Sequence, residues 1–181
     1  MKNKISISVI LPIFNEKIRW LNECINSLLN QNFDDYEIIV ILDDPSNKLI
    51  IDYMTRFKKN LKIRFFLNEK NLKLPKTLNK GISLSKGKYI AIMNGDDICK
   101  KERLYQQFSY LEKNKLVDLI GGKYNLIDDS SNKIDKKNYI FKSNKSIKKA
   151  LKYLSPICHP TWMGKRELFI DLKYNNLIGI E

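Results

Sequence analysis

The chain has 181 residues, 43% of them hydrophobic and 29% charged, enough to bury one substantial core, so a single domain over 1–181 is expected and a disordered chain is excluded. A formal charge of +13 points to anionic company, although an AT-rich coding sequence also produces such a lysine-, asparagine- and isoleucine-rich composition. Cys24, Cys99 and Cys158 lie too far apart for a zinc spacing or a redox dithiol, and no run approaches the roughly 18 apolar residues of a membrane span. Free thiols in a reducing cytoplasm are expected, with any membrane contact peripheral, on the inner face.

Ile5 to Leu11 is a short Ile/Val-rich run closed by Pro12 to Asn15, the pattern of a buried strand entering a loop. Ser6, Ser8 and Pro12 interrupt it and no cleavage site follows, so it is a poor signal peptide. Ile18, Leu21, Ile25 and Leu28 then form one helical stripe, with Glu23, Asn26 and Asn30 facing away. A second strand, Glu37 to Leu42, ends at Asp43, Asp44, Pro45 and Ser46, where a turn exposes carboxylates beyond the sheet. Leu49, Ile50, Tyr53, Met54 and Phe57 make a second helical stripe. Leu61 to Phe66 is a third strand, Pro75 to Ser85 a third helix, and Gly87 a break.

The next strand, Tyr89 to Met93, runs into Asn94, Gly95, Asp96 and Asp97. Repeated strand-helix alternation implies parallel strands with right-handed crossovers, hence a Rossmann-like three-layer α/β/α sandwich with a mostly parallel central sheet. Its ligands bind at the carboxyl ends of the strands, where the acidic turn of 94–97 places hard oxygen ligands suited to a divalent cation and phosphate. Leu104, Phe108 and Leu111 mark a further helix, and Leu116 to Ile120 and Tyr139 to Phe141 are expected strands around a polar turn at Asp128 to Asn132. Between Lys133 and Lys152 there are eight lysines and one aspartate, and the stripe Ile147, Leu151, Leu154 is expected to pack a solvated helix on the core. His159 is the only histidine and cannot by itself make a metal triad or a serine hydrolase.

Ser8-Val9-Ile10-Leu11-Pro12-Ile13-Phe14-Asn15-Glu16, Leu42-Asp43-Asp44-Pro45-Ser46, Asn79-Lys80-Gly81-Ile82, Gly87-Lys88-Tyr89-Ile90 and Asn94-Gly95-Asp96-Asp97 resemble, in order and spacing, family 2 glycosyltransferases of the GT-A fold. Glu102-Arg103-Leu104 with Gln107, and His159-Pro160-Thr161 followed by Arg166, are similar to later segments of bacterial members, so the resemblance covers nearly the whole chain. It implies a nucleotide-sugar-binding half, 1–97, and an incomplete acceptor-side half, 98–181. The implied reaction transfers a sugar, with inversion, from a nucleotide-diphospho-sugar to a glycan or lipid-linked acceptor in bacterial surface polysaccharide synthesis; no nucleic-acid partner is expected.

The same resemblance assigns residues. Pro12 and Phe14 meet the base, with Phe14 stacking where many members have tyrosine, and Glu16 and Asn79 belong to the donor-binding motifs. Asp44 accepts from a base N–H, which favours a UDP- or dTDP-sugar, while Asp43 caps the turn. Asp96 is the ligand of Mg2+ or Mn2+. Asn94 stands where many members have aspartate and serves a ribose hydroxyl or a metal-bound water without adding charge. Asp97 supports the ligand or caps the following helix, and His159 lies on the diphosphate or acceptor side; apart from the resemblance, Lys76 and Lys80 could neutralise phosphate, although surface lysines more often do nothing so specific. The family's catalytic base is an aspartate in a short acidic pair whose first member Glu181 resembles, so the base is expected just after Glu181 and none within the chain. A noncatalytic nucleotide-sugar-binding module is the alternative.

Overall fold

The structure, a computed structural model, describes residues 5–135, 141 and 143–175. Strands β1 (Ile7–Ile13) and β2 (Tyr36–Leu42) are buried at every position, as near-continuous apolar strands covered on both faces must be. With β3 (Ile63–Leu67) and β4 (Tyr89–Ile92) they form a parallel set in the order β3-β2-β1-β4. Helices α1 (Ile18–Leu29), α2 (Lys48–Met54) and α3 (Lys73–Leu84) make the crossovers.

Period-two alternation in β1 and β2 splits the core between two faces. Val9, Leu11, Ile38 and Val40 pack with Leu21, Cys24, Ile25 and Leu28 of α1, Ile50, Tyr53 and Met54 of α2, and Leu104 and Leu111 of α4 (Arg103–Lys113). Ile10, Ile39, Ile41, Ile90 and Ile92 point the other way, against Leu78 and Ile82 of α3. The expected three-layer sandwich and its mostly parallel sheet are therefore present. No helix among the described residues is long and apolar enough to cross a membrane.

The helix expected on Leu104, Phe108 and Leu111 is α4, but past it the structure departs from expectation. β5 (Leu119–Ile120) is two residues long, and Leu116, expected in that strand, is 98% exposed. The polar turn Asp128 to Asn132 is closed by β6 (Leu126–Ile127) and β7 (Lys133–Ile134), not by the two longer runs that flank it. The Asp128 carboxylate organises that turn, accepting from the Ser130 and Asn132 N–H groups at 2.8 and 2.9 Å. Phe141 is not in a strand, and Tyr139 lies outside the described residues.

Helix α5 (Asn144–Ala150) stops before Leu151 and Leu154, which are 61% and 51% exposed, so the expected stripe does not pack on the core. β8 (Met163–Lys165), too short to show periodicity, enters the sheet antiparallel between β4 and β5, and α6 (Arg166–Leu172) follows, burying Phe169 on the α3 face.

The amino ends of the strands are closed by a buried polar network. Glu37, 3% exposed, accepts from Ser8 Oγ at 2.7 Å and the Lys86 N–H at 2.8 Å, and pairs with Arg64 Nη1 at 2.7 Å. Gly87 donates its N–H to Ser8 Oγ at 2.8 Å, and a Cβ there would fall 2.4 Å from the Ser8 backbone nitrogen, so only glycine fits. Among the described residues, the buried side-chain polar atoms at this end all have partners, as burial requires.

Candidate functional site

At the opposite, carboxyl end, the loops after β1, β2 and β4 converge. The Asp43 N–H donates to the Ile13 carbonyl at 2.8 Å, joining the first two strand ends. Pro12 is buried in β1 opposite Ile41, and Phe14, just beyond, is 42% exposed. The Phe14 N–H donates to Glu16 Oε2 at 2.8 Å, while Asn47 Nδ2 donates to the Phe14 carbonyl at 3.3 Å. Asn47 Oδ1 also caps α2 by accepting from the Ile50 N–H at 3.1 Å, so one side chain ties the Phe14 loop to a helix start.

The turn after β2 is organised by Asp44, not by Asp43 as expected. Asp44 is the turn residue: its Oδ1 accepts from the Ser46 N–H at 2.9 Å and Oγ at 2.7 Å, and these bonds hold its carboxyl below the ordinary range. Asp43 is buried instead, accepting from Asn68 Nδ2 at 2.6 Å and the Leu72 N–H at 2.8 Å. Asn68 continues to Thr77 Oγ1 at 2.9 Å and receives Lys80 Nζ at 2.7 Å. Lys80 is therefore bound into the network beneath the rim. Asn47 and Asn68 were not singled out from sequence, because a loop asparagine carries no local signal of its partner.

After β4, Gly95 lets the loop approach the first strand: a Cβ there would lie 2.9 Å from Ile13 Cγ2 and 3.0 Å from the Glu16 carboxyl carbon. Glu16 is pushed above the usual carboxylate value mainly by burial, with the Asp96 charge adding to it and backbone N–H groups opposing it. Asn94 is half-buried, and its carbonyl accepts from Cys24 Sγ at 3.2 Å. Asp96 is exposed and borders a hollow of about 110 Å³ shared with Trp20, Glu23, Asp128 and Asp129. The β6–β7 hairpin reaches that hollow by resting on α1 and the residue before it: Lys17 pairs with Asp129 at 3.0 Å and Trp20 Nε1 donates to the Asp129 carbonyl at 3.3 Å.

Asp97 has one carboxylate oxygen buried with no partner among the described residues, and burial followed by the Asp96 charge pushes its pKa up to about 6. Between 3.8 and about 6 the folded protein holds a proton that the unfolded chain has released, so this group's contribution to stability falls as pH rises through that window. In chelator-treated protein, Asp97→Asn is expected to raise stability at pH 7 by about 1 kcal/mol, allowing for partial solvent screening, and to flatten the pH dependence between 4 and 6. Urea unfolding at pH 4 and pH 7 reads this directly; a variant less stable than the parent at both pH values would refute it.

Asn79 and His159 meet each other's neighbourhood rather than the Phe14–Asp44 rim. Asn79 Nδ2 donates to the Tyr174 carbonyl at 2.7 Å and its Oδ1 accepts the Tyr174 N–H at 2.8 Å, so both functional atoms of the side chain are engaged. His159 Nε2 lies 2.8 Å from the Tyr174 hydroxyl. Among the described residues no group of three or more His, Cys, Asp or Glu side chains forms a cation cage. Glu181 lies outside the described residues.

The exposed aromatic ring, the turn carboxylate and the acidic pair thus gather at the carboxyl ends of parallel strands, where open α/β sheets bind their ligands. The family model of glycosyl transferase family 2 matches residues 8–173, and the chain belongs to that family. An uncharacterized glycosyltransferase of Methanocaldococcus jannaschii is 35% identical over 173 residues, covering 93% of this chain and 59% of its own length. The amylovoran biosynthesis glycosyltransferase AmsE of Erwinia amylovora is 36% identical over 115 residues, 63% of this chain and 43% of AmsE. The chain thus spans about half the length of these relatives.

Among solved structures, S. aureus TarS 1–349 in complex with UDP-GlcNAc matches with a TM-score of 0.74 at 20% identity, over 92% of this chain and 47% of that one. The mannosyltransferase PcManGT from Pyrobaculum calidifontis, in complex with GDP-Man and Mn2+, matches with a TM-score of 0.64 at 14% identity, over 92% and 46%. The fold is the GT-A fold of these enzymes.

Proposed function

We propose that this chain carries the donor site of a glycosyltransferase that transfers a sugar, with inversion, from a nucleotide-diphospho-sugar to a glycan or lipid-linked acceptor in surface polysaccharide synthesis. The observation that supports it most is the continuous rim from Asp44 and Asn47 through Phe14 and Glu16 to Gly95 and Asp96, joined by hydrogen bonds and close contacts across three strand ends. Phe14 offers a face for a base to stack on. Asp44, ionised and with only Oδ1 engaged by Ser46, offers Oδ2 to the imide N–H of uracil or thymine.

The acidic pair fits Mg2+ or Mn2+ held chiefly by a diphosphate: Asp96 is open to solvent and the neighbouring Asp97 has an orphaned oxygen, and such cations take one or two carboxylates and complete their shell with phosphate and water. When bound, the cation would neutralise charge on the departing diphosphate. Asn94 supplies a neutral amide beside it, and His159 stands on the diphosphate or acceptor side. The solved neighbours' ligands, UDP-GlcNAc in TarS and GDP-Man with Mn2+ in PcManGT, support a donor of this class. The name of AmsE supports the polysaccharide setting.

Calorimetry with UDP, with and without Mn2+, tests the reading, and a donor-hydrolysis assay follows it. Saturable, Mn2+-dependent UDP binding is expected. Asp44→Ala is expected to weaken UDP roughly tenfold, through loss of a hydrogen bond to a charged acceptor, with GDP binding less affected. Equal UDP affinity in parent and variant would remove Asp44 from the base contact; UDP binding with no turnover would favour a noncatalytic donor-binding module.

A further inference from the structure

We propose that Asn79 and Tyr174 are positioning residues for His159, fixing its imidazole so that Nε2 accepts from the Tyr174 hydroxyl and Nδ1 carries the proton offered to a ligand oxygen. This rests on the placement of His159 on the diphosphate or acceptor side of the site.

The geometry is a two-step clamp. Asn79, on α3, pairs reciprocally with both main-chain polar groups of Tyr174, at 2.7 and 2.8 Å, across 95 positions of sequence. Because a backbone N–H must meet the amide oxygen and a backbone carbonyl the amide nitrogen, this pairing also settles which way the Asn79 amide faces. Tyr174 follows α6, and the clamp sets where its ring stands.

From there its hydroxyl reaches His159 Nε2 at 2.8 Å while its ring meets the imidazole edge-on, with centroids 5.5 Å apart. Trp162 encloses the imidazole from a second direction, 4.8 Å away at 67°, and is itself tied by Nε1 donating to the Ile157 carbonyl at 3.1 Å. One hydrogen bond and two rings therefore leave the imidazole little rotational freedom.

The segment is anchored beside the acidic strand end. The Ile92 N–H donates to the Trp162 carbonyl at 3.0 Å, and Arg103 Nη2 reaches the carbonyls of Ile92 and Trp162 at 2.9 and 3.4 Å. Burial raises the Tyr174 phenol and lowers His159, so the hydroxyl keeps its proton and the imidazole is neutral; in the proposed arrangement the hydroxyl donates to Nε2. Nδ1 then bears the hydrogen, and it bonds to no described residue. A neutral imidazole held this way donates a hydrogen bond to a ligand oxygen and does not act as a base at Nδ1.

His159 is the only histidine, so ring-¹⁵N-labelled histidine in the 181-residue chain gives one tautomer signature with no assignment problem. The parent is expected to show the Nδ1–H form. Tyr174→Phe keeps the ring and removes the hydroxyl, and Asn79→Ala releases the clamp; each should lower the ratio of Nδ1–H to Nε2–H roughly threefold to tenfold, the loss of one net hydrogen bond. If Asn79→Ala fails to fold, Asn79→Asp, which keeps the acceptor for the Tyr174 N–H and loses the donor, should give a smaller shift in the same direction. An Nε2–H parent, or a Tyr174→Phe protein with the parent's ratio, overturns the proposal. A shift in Tyr174→Phe with none in either Asn79 variant removes Asn79 from it. UDP affinity measured on the same samples reads the donor assignment separately: a tautomer shift without UDP binding would overturn the nucleotide reading and leave the positioning pair standing.

Discussion

Asp96→Asn is expected to abolish the Mn2+ dependence of UDP binding while leaving the fold intact. Asp96 is exposed and accepts no structural hydrogen bond from a described side chain, so the substitution costs the fold little. An amide keeps the shape but not the charge that a hard cation requires. Asn94 cannot replace it, being uncharged, and Asp97 alone leaves the cation one carboxylate fewer. Since loss of a residue merely supporting a metal ligand costs about 10- to 100-fold in affinity, loss of the ligand itself should remove at least that much of the enhancement. Calorimetry with UDP in Mn2+ and in chelator decides it, with thermal unfolding as the control. A variant that retains the parent's Mn2+ enhancement would move the cation away from this strand end.

Glu37→Ala should do the reverse, lowering stability by about 3 to 5 kcal/mol without changing UDP affinity of the folded protein. Glu37 lies at the amino ends of the strands, away from the rim. Its removal leaves the Lys86 N–H without its Glu37 acceptor and strips Arg64, whose side chain is 28% exposed, of its carboxylate. For domains that total about 5 to 15 kcal/mol, such a loss brings the variant close to unfolding at ordinary temperature. Urea titration measures it. A change under about 1 kcal/mol would show that Arg64 and the 86–87 turn find other partners, and the double variant with Arg64→Ala separates the ion pair from the backbone bonds.

The two effects separate because the sheet has two ends with different work. One end is sealed by mutually satisfied polar groups around Glu37 and Gly87; the other keeps carboxylates exposed or unpartnered around Asp96 and Asp97. Unsatisfied polar atoms at the open end cost stability and are what a ligand would complete.

Much of this was legible in the chain. Short Ile/Val runs in β1, β2 and β4 and the stripes of α1 and α4 recur at periods set by backbone geometry, so strands, helices and their alternation followed from spacing, and with them the parallel sheet and its functional edge. The motifs at 12–16, 43–46 and 94–97 fell at strand ends, where the structure joins them into one rim. Past α4 spacing failed, because β5, β6, β7 and β8 have only two or three residues each and no period can be read from so few.

Local sequence therefore determined the architecture and the chemical kind of the site, since hydrophobic period and residue type act within a few positions. Tertiary structure decided partners. Only the close approach of β2 to the loop before α3 shows that Asp43 is the buried carboxylate and Asp44 the turn residue, and only the meeting of α3 with the segment after α6 shows that Asn79 binds Tyr174. A polar side chain's partner depends on which distant backbone group is brought within about 3 Å, and that distance belongs to the folded chain.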